Sequence, residues 1–201
     1  MDAMDVWLRQ HAIAHSAALA GEDACEWSFQ DALLEELTEE QLRLRPEPGL
    51  NSLAWLLWHM ARTEDVVMNL LVAGQPQVLQ DGDWLHRLHV ARSDIGTGAG
   101  DADVARISAS VDIPSLLAYR LAVGCRTRDI IRTLQPESLM EPVPASRIDD
   151  LLAAGALIDD AHSLAEFWRG KTTAYLLAMP ATGHNLAHLG EAMSIRGRLG
   201  L

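Results

Sequence analysis

Basic charge is scarce in this chain. Only 16 of its 201 residues are Lys or Arg against 28 Asp or Glu, for a formal charge of -12. A surface that acidic repels phosphate and argues against a non-specific nucleic-acid binder or a partner of anionic membranes. Lysine is nearly missing: Lys171 stands alone and every other basic residue is arginine. Cysteine is limited to Cys25 and Cys125, too far apart for a cysteine metal or redox motif. The two suit thiols in a reducing cytosol, or one long-range disulfide. No apolar stretch approaches the roughly 20 residues of a membrane span. The first residues, Met1-Asp2-Ala3-Met4-Asp5, carry acids where a signal peptide carries bases. These absences leave a cytoplasmic, acidic protein, expected to be a single domain over residues 1–201, with no nucleic-acid and no membrane partner. A composition that is 49% hydrophobic and 22% charged argues against wholesale disorder.

What is present has helical periodicity. Met4, Trp7, Leu8, Ala14 and Ala18 share one face of a helix over residues 4–20, and an apolar pattern resumes over 27–37 beyond an interruption at Gly21. Thr38-Glu39-Glu40-Gln41 has the form of a capping box. Asn51 or Ser52 then caps the strongest helix, residues 53 to about 73, which Gly74 and Pro76 end. Residues 75–113 are irregular, punctuated by Gly82, Gly96, Gly98 and Gly100, with short helices expected at 84–90 and 102–110; a connection this long is a crossover or a lid. Ser115 is placed to cap a helix over 116–134. The apolar run 151–158 has no deciding period. A last helix runs from 163 towards 198, kinked or split by Pro180 and Gly183. The pattern predicts an all-α fold, an antiparallel four-helix bundle with long crossover connections.

Eight histidines are present. His184 and His188, four apart, stack on one helix face, and His59 lies mid-helix on a mostly apolar strip with Trp55, Arg62, Thr63 and Val66. Two imidazoles from one helix and a third from a facing helix make a His₃ metal site with positions left open. The competing reading makes each a satisfied core histidine. His11 and His15 form a second i,i+4 pair with a weaker claim to a metal, and His86 and His89 read as surface groups. Trp55 and Trp58 read as core, with Trp55 alone on the face of His59.

Beyond spacing, Asn51-Ser52-Leu53-Ala54-Trp55-Leu56-Leu57-Trp58-His59-Met60-Ala61-Arg62-Thr63-Glu64 resembles the second-helix signature of the DinB-like family. His184-Asn185-Leu186-Ala187-His188-Leu189-Gly190-Glu191 resembles that family's closing metal-binding helix. Asp94-Ile95-Gly96-Thr97-Gly98 and Tyr119-Arg120-Leu121-Ala122-Val123 resemble segments of a subgroup. The likeness runs in order from about Leu37 onward. It implies a bundle holding one divalent ion, zinc or nickel first and iron or cobalt next, on His59, His184 and His188. It also implies kinship with transferases and isomerases that use low-molecular-weight thiols such as mycothiol or bacillithiol.

The expected function is a metal-dependent, thiol-using transferase or a hydrolase acting on a small molecule. The alternative is a non-catalytic metal- or ligand-binding bundle, as in a stress response. Glu191 and Tyr119 are the candidate catalytic groups. Glu191 shares the face of His188, where it would orient a ligand, serve as a base or become a fourth ligand. Tyr119 would donate from a pocket wall, or else sit in the core. Arg62 and Arg120 read as surface residues, with an anionic substrate as their functional alternative. An apolar helix face would also serve a homodimer. Ergothioneine-forming sulfoxide synthases share a similar bundle, but their acid lies two residues after the second histidine. Glu191 lies three after His188, so that activity is set aside.

Overall fold

Short polar side chains set the helix starts by accepting from backbone N–H groups that the helix leaves without partners. The computed structural model describes residues 3–19 and 27–201; Cys25, with any disulfide to it, and the interruption at Gly21 lie outside these residues. Helix α1 (Ala3–Ala14) is followed by α2 (Phe29–Leu34), where Ser28 accepts from the Asp31 N–H. The amphipathic pattern overran both: Ala18 and Trp27 are exposed. Helix α3 (Glu39–Arg43) opens on the expected capping box, with reciprocal bonds between Thr38 and Gln41. Ser52, not Asn51, caps α4 (Leu53–Asp65) by accepting from the Trp55 N–H. Every residue of α4 is buried, so it has no solvent face. It runs on into π-helical turns, Val66–Ala73, and stops at Gly74 in the left-handed conformation.

Short helices α5 (Trp84–Leu88) and α6 (Asp101–Ser110) interrupt the crossover. Helix α7 (Ile113–Thr133) starts three residues earlier than expected. Asp112 is the cap and accepts from the Ser115 N–H, so the hydroxyl residue is inside the helix. Pro114 fits the first turn, where no N–H is needed. The undecided run 151–158 divides between the end of α8 (Ala145–Ala153) and a turn through Gly155.

The C-terminal stretch is broken further upstream than Pro180. Helix α9 (His162–Trp168) ends as Gly170 takes a φ of 74°, and α10 (Thr173–Leu176) restarts behind a Thr172 cap. Pro180 then lies within π-helical turns, Leu177–Gly183, that lead directly into α11 (His184–Leu199). A proline lacks the N–H and clashes with the carbonyl four residues back in an α-helix, and the wider π-turn relieves that clash.

The architecture is all-α. Among the described residues the only β-type pairing is one isolated bridge, Pro142 with Thr172. Helix α4 packs on α7 and α11, while α1 packs on α7 and on the 177–183 turns. Asn51 meets Glu191 and Glu64 meets Asn185, so α4 and α11 run antiparallel. Leu53, Leu56, Leu57, Trp58, Leu116 and Leu189 form one apolar cluster around this pair. A second, with Val67, Leu71, Ile131, Leu151 and Trp168, surrounds the π-turns. Each such side chain contributes about 1.5–3 kcal/mol on burial. Among the described residues no helix is long and apolar enough to cross a membrane.

Candidate metal centre

Three imidazoles from two helices meet at one point. His59 comes from the middle of α4, His184 from the first position of α11, and His188 from one turn further on. Their ring centroids are 4.8 Å (His59–His184), 5.0 Å (His59–His188) and 4.4 Å (His184–His188) apart, each pair steeply inclined. One nitrogen of each lies within 4.8 Å of the others. His59 Nε2 and His184 Nε2 are 3.0 Å apart, near the ~3.3 Å edge expected of a tetrahedron with Zn–N bonds of about 2.0–2.1 Å.

Hydrogen bonds behind the rings decide which nitrogens face inward. His59 Nδ1 donates to the Ile95 carbonyl at 2.5 Å, so its Nε2 presents a lone pair. His188 Nδ1 donates to Glu191 Oε2 at 2.7 Å, and Asn51 Nδ2 donates to Glu191 Oε1 at 2.9 Å. Glu191 is therefore a carboxylate that orients a histidine, the usual outer support of a metal ligand. His184 Nδ1 is buried without a hydrogen-bond partner, so nothing but the cluster itself holds that ring's nitrogens. Burial lowers the pKa of His59 to about 4 and that of His184 to about 2, which keeps both neutral and able to ligate. The hydrogen bond from His188 likewise depresses Glu191, keeping it anionic. With the His184 proton on Nδ1, the three converging nitrogens are a donor set for a divalent cation. Glu191→Ala is expected to weaken zinc binding by about 10–100-fold, measured by competition with a chromophoric chelator; unchanged affinity would deny Glu191 its supporting role.

The loop that fixes His59 is itself built on charge. Arg92 grips Asp94 with two parallel bonds, and Asp94 Oδ1 accepts from the Gly96 N–H, holding Ile95 between them. Trp55 stacks on the His59 ring, 4.8 Å between centroids and 15° between planes.

The model of the DinB superfamily matches residues 26–192. The chain belongs to the DinB superfamily. No curated protein sequence matches it. Among solved structures, it is similar to the crystal structure of the conserved protein of locus from Enterococcus faecalis. That likeness has 17% identity and a TM-score of 0.68, covers 100% of this chain and 99% of the other, and shows a shared fold.

Within this DinB-superfamily chain, other expected residues fall elsewhere. Tyr119 is fully buried, and its hydroxyl donates to Asp65 Oδ2 while accepting from Arg62 Nη1, so it is committed to that pair rather than to the histidines. Burial pushes its pKa well above the phenol range, which keeps it protonated. Arg62 and Arg120 are not surface groups: both are completely buried. Arg62 binds Asp65, Tyr119, Gln77 and the Ser93 carbonyl; Arg120 binds Gln30, Asn185 and the Ala14 carbonyl. His86 and His89 are exposed, as expected. His11 and His15 are buried on Glu64, each 2.7 Å from one carboxylate oxygen. Sequence reasoning missed Glu64, Asp65 and Asn185. The signal was available: three ionisable residues, Arg62, Glu64 and Asp65, interrupt a helix with no polar face, and charges there must be paired.

Proposed function

We propose that this protein is a metal-dependent enzyme that holds one divalent ion, zinc or nickel foremost, on His59, His184 and His188. Its expected chemistry is transfer involving a low-molecular-weight thiol, or hydrolysis, on a small-molecule substrate. The observation that carries this reading is the pair of buttressed imidazoles, His59 on Ile95 and His188 on Glu191, whose free nitrogens converge with His184. Three neutral imidazoles leave a dication its full charge, so the bound ion supplies a Lewis acid that makes a bound water or thiol more acidic. The residues of the chain do the rest. His59 closes the inner side of the site, while His184, His188 and Glu191 are part-exposed and mark the side from which a substrate approaches. Trp55 supplies an apolar wall beside His59.

A second reading, a metal-binding bundle without turnover, has its own support. Glu191 is occupied by His188 and Asn51, and Tyr119 is sealed in the core, so neither stands free as a general acid. Elemental analysis of the purified protein tests the site. The wild type should retain about one tightly held ion per chain through desalting, and His59→Ala, His184→Ala and His188→Ala should each lose it. Wild type that stays metal-free after reconstitution with zinc, nickel, iron or cobalt would overturn the proposal. With cobalt loaded, a small thiol should change the absorption spectrum; an unchanged spectrum with every thiol and electrophile tried favours the second reading.

A further inference from the structure

We propose that His11, His15 and Glu64 form a second divalent-metal site, separate from the first and beside a cavity that His15 helps to line. His11 lies in the last turn of α1 and His15 just beyond the helix end, and α4 presents the carboxylate opposite them. His11 Nε2 lies 2.7 Å from Glu64 Oε1 and His15 Nε2 lies 2.7 Å from Glu64 Oε2. One ligand atom from each residue lies within 4.8 Å of the others, and all three side chains are buried. The rings, 4.5 Å between centroids and tilted by 41°, turn their Nε2 edges to the same carboxylate. Two imidazoles and one carboxylate are a donor set that zinc, cobalt and nickel accept, with a position left over.

Two features support a site at this buried cluster. The carboxylate is held from behind: Asn185 Nδ2 donates to Glu64 Oε2 and to the Ala181 carbonyl, which sets the Glu64 plane as outer support does in metal sites. A cavity of about 260 Å³ lined by His15, Gln30, Asp31, Leu34, Leu117 and Leu121 lies beside the cluster, with His15 in its wall. Gly124 of α7 lets the His15 ring pack directly on its backbone, since a Cβ there would lie 2.9 Å from His15 Nδ1. On loading, each imidazole gives its Nε2 proton to solvent and takes one at Nδ1, so both remain neutral and no net proton is released. Arg120, one side chain away through Asn185, offsets the charge of Glu64, so this ion is the more weakly held of the two.

Crystals of the wild-type protein soaked in cobalt(II) chloride, with anomalous data at the cobalt edge, test this directly. The expected result is a peak among His11, His15 and Glu64. A peak among His59, His184 and His188 alone overturns the second site and leaves the first intact. A peak at the second cluster alone supports this proposal and overturns the first. In solution, His188→Ala removes a ligand of the first centre and leaves α1 untouched. That variant should still take up about one cobalt ion per chain, and His188→Ala/Glu64→Gln should take up none. Failure of the single variant to bind, or undiminished binding by a double variant of unchanged helical circular dichroism, overturns the proposal.

Discussion

Arg62→Met is expected to destabilise the protein by about 3–5 kcal/mol, the cost of stripping one partner from a buried ion pair. Arg62 and Asp65 sit three residues apart on α4, both fully buried, with Nη1 donating to Oδ2 at 2.8 Å. Burial works against the guanidinium charge, but Tyr119 and Asp65 outweigh it, and the Arg62 pKa rises. The same guanidinium reaches Gln77 Oε1 at 2.6 Å and the Ser93 carbonyl at 2.5 Å, so it fastens the long crossover to α4. Methionine fills much of the volume but leaves a buried carboxylate charge and three further acceptors, on Tyr119, Gln77 and Ser93, without their donor. Asp65 would keep bonds from Tyr119, Asn69, Val78 and Leu79, which solvate the anion only in part. Arg62→Lys should recover some of the loss, because an ammonium carries the charge but not the planar fork that spans four acceptors. Urea denaturation reads the result. A loss below about 1 kcal/mol for the methionine variant would mean that the network contributes little beyond packing.

The histidine cluster was legible because its parts are local. An i,i+4 pair fixes the relative position of His184 and His188, a helix with strong apolar character places His59 inward, and the resemblance joined the two helices. What lay beyond reach was everything that depends on which helix faces which. The pairing of Glu64 with His11 and His15 spans about fifty residues, and no local period encodes it. Arg62 and Arg120 were misread for the same reason: arginine is ordinarily exposed, and the partners that make burial tolerable here come from other elements. Helix boundaries failed on a smaller scale. Asp112 and Ser115 are both good cap residues; Asp112 takes the cap by accepting from the Ser115 N–H, and Pro114 is tolerated in the first turn, where its missing N–H is not needed. Pro180 was correctly marked as a disturbance, but its accommodation in π-turns depends on the packing of α1 and the 66–73 turns against that segment.

Gly96→Ala should couple stability to the metal centre. Gly96 has a φ of 83°, in the region that costs an alanine roughly 1–3 kcal/mol. Its added Cβ would stand 2.6 Å from Trp58 Cζ3, and Trp58 is fully buried in the core and cannot retreat. Overpacking of that kind costs a further 1–3 kcal/mol or so, for a combined loss of about 2–6 kcal/mol. The backbone must therefore move, and it carries the Ile95 carbonyl that holds His59 Nδ1. Displacing that acceptor frees the His59 ring, and metal affinity should fall by about 10–100-fold, as it does when an outer-shell partner is lost. Gly98→Ala supplies the comparison. Gly98 has a similar φ of 80°, but its Cβ would meet the flexible end of Ile158 at 3.3 Å and Asp160 Cβ at an ordinary contact distance of 3.7 Å. It should show the backbone cost with metal affinity nearly unchanged. If both variants lose metal equally, the loop acts through general stability, and the Ile95 carbonyl has no special hold on His59. If only Gly96→Ala loses it, the resembled Asp94-Ile95-Gly96 segment is part of the centre, although none of its side chains touches the three histidines' converging nitrogens.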